Sequence, residues 1–274
     1  MDGTEKLNDA AQDAPILLVE DRGAVRCLTM NRPKALNALS DDMLAALQAQ
    51  IDALSQRQDI RVVILKGAGK AFCAGHDLKE MQAGRQAGDG GAAYFADLFE
   101  RCAKVMTGLT RLPQPVIAQV HGIATAAGCQ LVASCDLAVA AEDTKFGVNG
   151  VNIGLFCSTP MVALSRNIGT KQAFEMLVTG AFRTAPQAQE LGLINRSVPT
   201  ENLDRATQDL AETVAGKLGA AVRIGKEAFY KQGEMTLEQA YAYTCEVMVK
   251  NLLWRDTEEG MAAFIEKRPP DWQE

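Results

Sequence analysis

Three apolar runs separated by helical patterns constrain the fold of this chain most strongly. The runs at 61–66, 116–120 and 137–141 lack the polar–apolar alternation of a half-exposed strand. Each therefore predicts a strand that is covered on both faces. Helical patterns lie between them, including a long one at 92–112. Strands that alternate with helices through short turns predict an α/β layer structure with parallel pairing.

The two ends of the chain differ from this alternating part. At the start, 16–20 and 24–30 predict a β-hairpin. After about residue 180 the pattern is almost entirely helical, and Ser40, Thr200, Thr236 and Asp256 are expected helix N-caps along the chain. We expect a disordered tail at 1–14, an α/β core at 15–200 and a helical oligomerisation region at 201–274.

Composition excludes several classes of function. With 274 residues, 47% hydrophobic content and a net charge of −6, the chain predicts an ordinary globular protein without a nucleic-acid-binding surface. Seven cysteines without a C-x-x-C pair indicate neither a disulfide framework nor a zinc site, and only two histidines argue against a histidine-rich metal site. A reducing compartment, and hence a cytoplasmic location, is the expectation. Residues 1–14 are unlike a signal or transit peptide, and no run is long enough to span a membrane.

Two strand–turn–helix units, at 62–81 and 116–134, carry the strongest functional signal. In both, a turn of small residues leads into a helix start, where backbone N–H groups lack intrahelical partners. If both strands lie in one parallel sheet, both turns lie at its carboxyl edge, where α/β proteins bind ligands. Two N–H groups could then donate to one oxygen, as in an oxyanion hole. The alternative is a pair of plain structural connections. The loop at 67–71 lacks the spacing and the Ser or Thr of a P-loop, which argues against nucleotide binding.

Five ordered motifs resemble the enoyl-CoA hydratase/isomerase family, also called the crotonase superfamily. They are NRPKALNAL at 31–39, AFCAGHDLKEM at 71–81, VHGIATAAGCQ at 120–130, DLAVAAEDTKFG at 136–147 and FIEKRP at 264–269. The resemblance implies a crotonase-like spiral of ββα units with a C-terminal helical region that forms a trimer or a dimer of trimers. It implies an acyl-CoA or enoyl-CoA thioester as ligand and no cofactor beyond the coenzyme A of the substrate.

The resemblance also implies site residues. The thioester carbonyl would accept hydrogen bonds from the backbone N–H groups of His76 and Ala127. Residues near the adenine and the ADP part would be Lys34, Ala35, Leu36, Ala74, Asp77, Leu78, Phe264 and Lys267, the last two commonly from a neighbouring subunit in this family.

At two positions the chain departs from the family pattern. Family hydratases hold the attacking water with two glutamates, and Gln130 and Gly150 stand at those positions. Glutamine cannot take a proton at neutral pH, and glycine offers no group at all. Other polar or reactive residues in or near the same segment could take over this role. They are Glu142, Asn149, Asn152, Cys157 and Ser158. Asn149 and Asn152 are expected to be turn residues, and Cys157 a small buried residue.

These departures leave several functions open. One is an enzyme, nominally an enoyl-CoA hydratase, that stabilises a thioester enolate but hydrates crotonyl-CoA weakly or not at all. A second is a non-catalytic acyl-CoA-binding or regulatory oligomer, and a family isomerase or thioester hydrolase is a further alternative. RNA binding occurs elsewhere in the superfamily, but the acidic balance of the chain weighs against it.

Overall fold

The computed structural model describes residues 14–273. The expected tail at 1–14 therefore lies outside the described residues, except for its last residue. Within 14–273 the strands are β1 (Leu17–Arg22), β2 (Val25–Met30), β3 (Val62–Gly67), β4 (Val116–Val120), β5 (Ile123–Thr125), β6 (Leu137–Ala141), β7 (Lys145–Gly147), β8 (Arg183–Thr184) and β9 (Arg196–Val198). The helices are α1 (Asp41–Leu54), α2 (Leu78–Gly84), α3 (Ala92–Arg111), α4 (Ala127–Ser134), α5 (Ser158–Asn167), α6 (Thr170–Thr179), α7 (Ala185–Leu191), α8 (Leu203–Ala215), α9 (Gly219–Gln232), α10 (Leu237–Leu252) and α11 (Arg255–Glu266).

A six-stranded sheet in the order β1-β2-β3-β4-β6-β9 forms the centre of the fold. β1 pairs with β2 in antiparallel orientation, and every other neighbouring pair in this sheet is parallel. The predicted hairpin and the predicted parallel pairing are both confirmed. Because β3 and β4 are adjacent and parallel, the segments that follow them leave the sheet at the same edge.

The sheet is covered on both faces, as the apolar runs predict. Val63 and Leu65 of β3 lie in the larger core with helices α1, α3 and α4. Val62 and Ile64, which point to the opposite face, pack in a second core that includes residues of α8. α8 therefore shares its core with the α/β part, and the expected division of the chain at residue 200 stays a prediction.

A second, three-stranded sheet in the order β5-β7-β8 lies beside the first. These strands are two or three residues long, and the sequence does not predict them. Such segments are too short to show a periodic pattern. They matter for the site because β5 directly precedes α4, and its pairing with β7 holds the turn between them.

Two of the four expected N-caps are confirmed. Ser40 accepts a hydrogen bond from Met43 N–H at the start of α1, and Thr236 forms a capping box with Gln239. The other two are wrong. Thr200 begins a 3-10 turn instead of α8, and Asp256 is the second residue of α11. Capping depends on the backbone angles of one residue, which composition alone does not define.

A largely buried ion pair joins the C-terminal helix α9 to the residue before β6. Lys226 of α9 donates from Nζ to Asp136 Oδ2 at 2.6 Å and to the carbonyl oxygens of Leu109 and Gln114 at 2.9 Å each. Asp136 also accepts from the Tyr230 hydroxyl at 2.8 Å. Burial lowers the pKa of Lys226, and the Asp136 carboxylate opposes that shift.

Candidate functional site

The two small-residue turns meet backbone to backbone. Gly75 has a φ of +96°, and a Cβ atom at this position would lie 3.0 Å from Ala126 Cβ and 3.5 Å from Ala127 N. A Cβ atom on Gly128 would lie only 2.2 Å from the carbonyl oxygen of Cys73. Each turn therefore needs a glycine where the other approaches it. The structure thus brings together the two units that the sequence analysis places at one sheet edge.

The hydrogen bonds around these turns leave two backbone N–H groups unused. Leu39 N–H donates to Gly75 O at 2.8 Å, and Asp77 N–H donates to Leu39 O at 3.2 Å. His76 lies between these bonds, and Ala127 is the first residue of α4. Within residues 14–273 neither the His76 N–H nor the Ala127 N–H has a hydrogen-bond acceptor. Both are free to bind a ligand oxygen, although their joint role stays a prediction.

Backbone strain marks the second turn. Ala126 has φ +51° and ψ −119°, a conformation that residues with a Cβ atom rarely adopt. Strain of this kind costs about 1–3 kcal/mol and persists where the surrounding structure enforces it. Here the Ala126 N–H donates to Gly147 O at 2.9 Å, so the pairing of β5 with β7 holds the turn in place. The strained residue is therefore the one directly before Ala127, whose N–H group has no partner within residues 14–273.

The His76 side chain is a half-buried imidazole whose ring nitrogens have no hydrogen-bond partner among residues 14–273. Both ring nitrogens are shielded from solvent and unpaired, and the ring meets Phe99 of α3 edge to face with centroids 5.6 Å apart. Burial is the main cause that lowers the pKa of His76, and Arg101 lowers it further. The Leu39 carbonyl and Asp41 act in the opposite direction. The balance favours the neutral ring at pH 7.

The lowered pKa of His76 predicts a loss of stability in mild acid. In the unfolded chain the His76 imidazole has a pKa of about 6.5 and takes up a proton below that pH. The folded chain does not bind this proton until the pH is lower, so the free energy of unfolding decreases as the pH falls. Between the unfolded and the folded pKa of His76, each pH unit lowers the free energy of unfolding by up to about 1.4 kcal/mol. Urea unfolding at pH 7.5 and pH 5.5 should show a smaller decrease for His76→Leu than for the wild type. Equal decreases would contradict the assignment.

Gln130 and Gly150, the positions of the family glutamates, have different surroundings. Gln130 lies one turn after Ala127 on α4, is 5% exposed, and has an unpaired Oε1 atom. Gly150 is buried, and its N–H donates to Cys157 Sγ at 3.3 Å. A Cβ atom at Gly150 would lie 2.3 Å from the carbonyl oxygen of Leu155. The backbone of the 150–157 segment therefore closes the space that a side chain at position 150 would need.

One polar contact at the second turn has no counterpart among the sequence motifs. Thr125 Oγ1 donates to Asn149 Oδ1 at 2.6 Å, which joins the residue before the strained turn to the segment after β7. Only the pairing of β5 with β7 brings these two residues together, so no local pattern signals it. Cys157 is buried, and burial raises the pKa of its thiol, which is unfavourable for a nucleophile.

Most of the residues expected near coenzyme A lie beside the first turn. Ala74 N–H donates to Leu36 O at 3.0 Å, which brings the 33–38 loop against the 73–77 turn. Asp77 caps α2 through Lys79 N–H and accepts from Arg32 at 3.0 Å, so its carboxylate has partners within the chain. Leu78, Lys34 and Ala35 lie in the same region, where Leu78 and Lys34 are exposed and Ala35 is half-buried.

Phe264 and Lys267 lie apart from these residues in the chain, at the end of α11. Phe264 is 85% exposed and borders a cavity of about 530 Å³ between α9, α10, α11 and Trp272. Lys267 follows α11 in a left-handed conformation. Their contact with coenzyme A, expected to be made across subunits, stays a prediction.

Comparison with known proteins identifies the family. The model of the enoyl-CoA hydratase/isomerase family matches residues 20–274. The chain belongs to this family. It is 44% identical over 261 residues to the enoyl-CoA hydratase domain-containing protein 3, mitochondrial, of Xenopus laevis, covering 95% of this chain and 87% of that protein. The human protein of the same name is 44% identical over 248 residues, covering 90% of this chain and 80% of that protein.

Solved structures of the family share the fold. The crystal structure of an enoyl-CoA hydratase from Mycobacterium smegmatis matches with a TM-score of 0.92 at 52% identity, over 95% of this chain and all of that one. The crystal structure of human enoyl-CoA hydratase domain-containing protein 3 matches with a TM-score of 0.89 at 43% identity, over 94% of this chain and all of that one. The predicted crotonase-like α/β fold and the family resemblance are confirmed.

The comparison with curated relatives shows that the expected cytoplasmic location is wrong. The Xenopus, mouse and human relatives are named mitochondrial proteins. Free cysteines indicate a reducing environment but do not distinguish one reducing compartment from another. Among residues 14–273, no helical segment combines the length and the hydropathy that spanning a bilayer requires.

Proposed function

We propose that this family member binds an acyl-CoA thioester and stabilises the enolate form of its carbonyl at the two turns. The observation that carries the proposal is the pair of unused N–H groups, His76 and Ala127, on turns that touch each other. Ala127 also begins α4, so the partial positive charge of a helix N-terminus favours developing negative charge there. Loss of one such donor typically costs about 2.7–4 kcal/mol of transition-state stabilisation.

The same site supports only weak hydration of an enoyl thioester. Gln130 can hydrogen-bond a water molecule but cannot remove its proton, and position 150 is closed by the Leu155 carbonyl. General acid–base catalysis typically raises a reaction rate about 10²–10⁴-fold. We therefore propose an enzyme with the binding site of a hydratase, a lyase of acyl-CoA metabolism by family, whose crotonyl-CoA hydration is severely reduced. Isomerisation of the double bond and thioester hydrolysis are the other reactions that enolate or oxyanion stabilisation serves.

Calorimetric titration with butyryl-CoA, together with a crotonyl-CoA hydration assay, tests this proposal. We expect butyryl-CoA to bind and hydration to run at least about 10²-fold below that of an efficient family hydratase. Gln130→Glu with Gly150→Glu is expected to lower the free energy of unfolding by about 1–3 kcal/mol, because the new side chain at 150 has no space. It should not restore efficient hydration. Robust wild-type hydration that Gln130→Ala abolishes would overturn the proposed weakness.

Closure of position 150 also favours a second candidate, a non-catalytic acyl-CoA-binding or regulatory oligomer. This candidate keeps the carbonyl site and needs no acid or base. Binding of butyryl-CoA without turnover in hydratase, isomerase and thioesterase assays would support it. Turnover in any of the three assays would exclude it.

We further propose that the chain associates with itself. Large apolar side chains on the C-terminal helices are exposed to solvent, among them Phe229, Leu237, Tyr241, Leu253 and Ile265 at 67–81% exposure. Exposed apolar surface of this kind is typical of an interface between subunits. The resemblance to the family favours a trimer or a dimer of trimers, which sedimentation equilibrium distinguishes. A monomer at all concentrations would contradict this.

A further inference from the structure

The strained residue Ala126 joins two parts of the chain that are each held in place. On the helix side, the Ala126 carbonyl accepts from Gln130 N–H at 3.0 Å in the first turn of α4. On the strand side, Ala126 N–H donates to Gly147 O at 2.9 Å. A φ of +51° with a ψ of −119° persists only while both sides are held. The Ala127 N–H lies in the same planar peptide unit as the Ala126 carbonyl, so its direction depends on this balance.

Thr125 is the residue at which the contacts of the strand side meet. Its N–H donates to Cys73 O at 3.0 Å, which ties it to the first turn. Its hydroxyl donates to Asn149 Oδ1 at 2.6 Å, which ties it to the segment after β7. The residue is 7% exposed, so water has little access to this hydroxyl. One side chain directly before the strained residue therefore links both turns to a third segment.

The local structure around this hydrogen bond offers little other support. Ala126 stands at the N-cap position of α4 and provides no side-chain cap, and Val148 before the 3-10 turn at 149–153 provides none either. The pairing of β5 with β7 covers only three residues of each strand, and Thr125 opposite Gly147 is its last pair. A side-chain bond at the end of so short a pairing is a substantial part of what holds the strand side.

The strength of this bond fits a role in alignment. A neutral hydrogen bond contributes about two- to tenfold to an equilibrium, which offsets only part of the strain at Ala126. Its loss should therefore loosen the turn without unfolding the chain. Asn149 is half-buried, so water can pair its Oδ1 atom when the hydroxyl is removed.

We propose that Thr125 is a positioning residue of the carbonyl site and acts through its hydrogen bond to Asn149. The bond holds the Ala126 turn so that the Ala127 and His76 N–H groups reach one oxygen. This inference rests on the proposed function, because it concerns the two donors on which that function depends. The effect of Thr125 reaches the ligand through the Ala127 peptide and needs no contact between the threonine and the ligand.

Infrared difference spectroscopy of butyryl-CoA labelled with carbon-13 at its carbonyl, at saturating ligand, tests the proposal. Donors that polarise the carbonyl lower its stretching frequency, and we expect this downshift in the wild-type complex. Thr125→Val keeps the branched shape without the hydroxyl. It should retain no more than about half of the downshift, because one of two donors is misdirected. It should also bind butyryl-CoA about two- to tenfold more weakly.

Three further variants separate the hydroxyl from packing and from general stability. Thr125→Ser keeps the hydroxyl and should keep the wild-type downshift. Asn149→Ala removes the acceptor and should resemble Thr125→Val. Thr207→Val is the matched control, because Thr207 is a fully buried threonine on α8 whose hydroxyl donates to Leu203 O at 2.8 Å, in the core on the other face of the sheet. It should leave the downshift unchanged.

The outcomes distinguish this inference from the proposed function. A full downshift in either Thr125→Val or Asn149→Ala would overturn the positioning role and leave the proposed function intact. Equal losses in Thr125→Ser and Thr125→Val, or an equal loss in Thr207→Val, would also overturn it. A wild type that does not bind butyryl-CoA, or binds it without a downshift, would overturn the proposed function instead. Circular dichroism checks folding, and Asn149→Ala decides the question if Thr125→Val does not fold.

Discussion

Lys226→Met is expected to lower the free energy of unfolding by about 3–5 kcal/mol, as measured by urea denaturation. The substitution keeps an unbranched side chain but leaves the largely buried Asp136 carboxylate, whose side chain is 13% exposed, without its cation. It also removes the donor to the carbonyl oxygens of Leu109 and Gln114. An unpaired charge in a buried position is far less stable than the pair, so the effect should exceed that of any surface substitution.

Lys231→Met provides a matched control on the same helix. Lys231 pairs with Glu227 one turn away, but both side chains are more than half exposed. Exposed pairs of this type contribute little, so the free energy of unfolding should hardly change. If Lys226→Met were as mild as Lys231→Met, the pair with Asp136 would not be what docks α9 onto the sheet.

Gly128→Ala is expected to weaken acyl-CoA binding about tenfold. The added Cβ atom would lie 2.2 Å from Cys73 O, more than 1 Å inside normal contact distance. The two turns must then separate, so the His76 and Ala127 N–H groups no longer both reach one oxygen, and each such hydrogen bond is worth about 0.5–1.5 kcal/mol of binding. Calorimetric titration of butyryl-CoA measures the loss, which should be accompanied by a lower free energy of unfolding.

Gly225→Ala is the control for this substitution. Gly225 lies inside α9, and an added Cβ atom meets nothing within 4 Å. Alanine favours a helix over glycine by about 0.5–1 kcal/mol, so this variant should be as stable as the wild type or more so. Unchanged ligand binding in Gly128→Ala would show that the contact between the turns does not position the His76 and Ala127 N–H groups.

Long, strongly patterned elements are the part of the fold that follows from the sequence. The apolar runs predict β3, β4 and β6 because full burial on both faces leaves no polar position in a strand. Ser40 and the apolar stripe after it predict α1, because a helix N-cap and a helical period are both local signals. The strands of the small sheet are missed because two or three residues carry no period, and the mistaken caps at Thr200 and Asp256 depend on backbone angles.

The candidate site follows from the sequence only in part. The small-residue turns before the α2 and α4 helices are visible as motifs, and so is the absence of acids at 130 and 150. The sequence does not reveal that position 150 has no space for a side chain, because the obstructing carbonyl belongs to Leu155 in a folded-back segment. Nor does it reveal the hydrogen bond from Thr125 to Asn149, which depends on pairing between strands too short to predict.

The α/β class, the family and the two small-residue turns follow from the sequence alone, because they depend on residue types at fixed local spacing. The folded chain is needed to see how those turns meet, with Gly75 against Ala126 and Gly128 against Cys73. It also shows that polar side-chain atoms of His76 and Gln130 lack partners within residues 14–273, and that Lys226 reaches Asp136 across ninety positions of the chain. The physical reason is that burial, pairing and van der Waals exclusion depend on contacts between distant residues, and these exist only once the chain has folded.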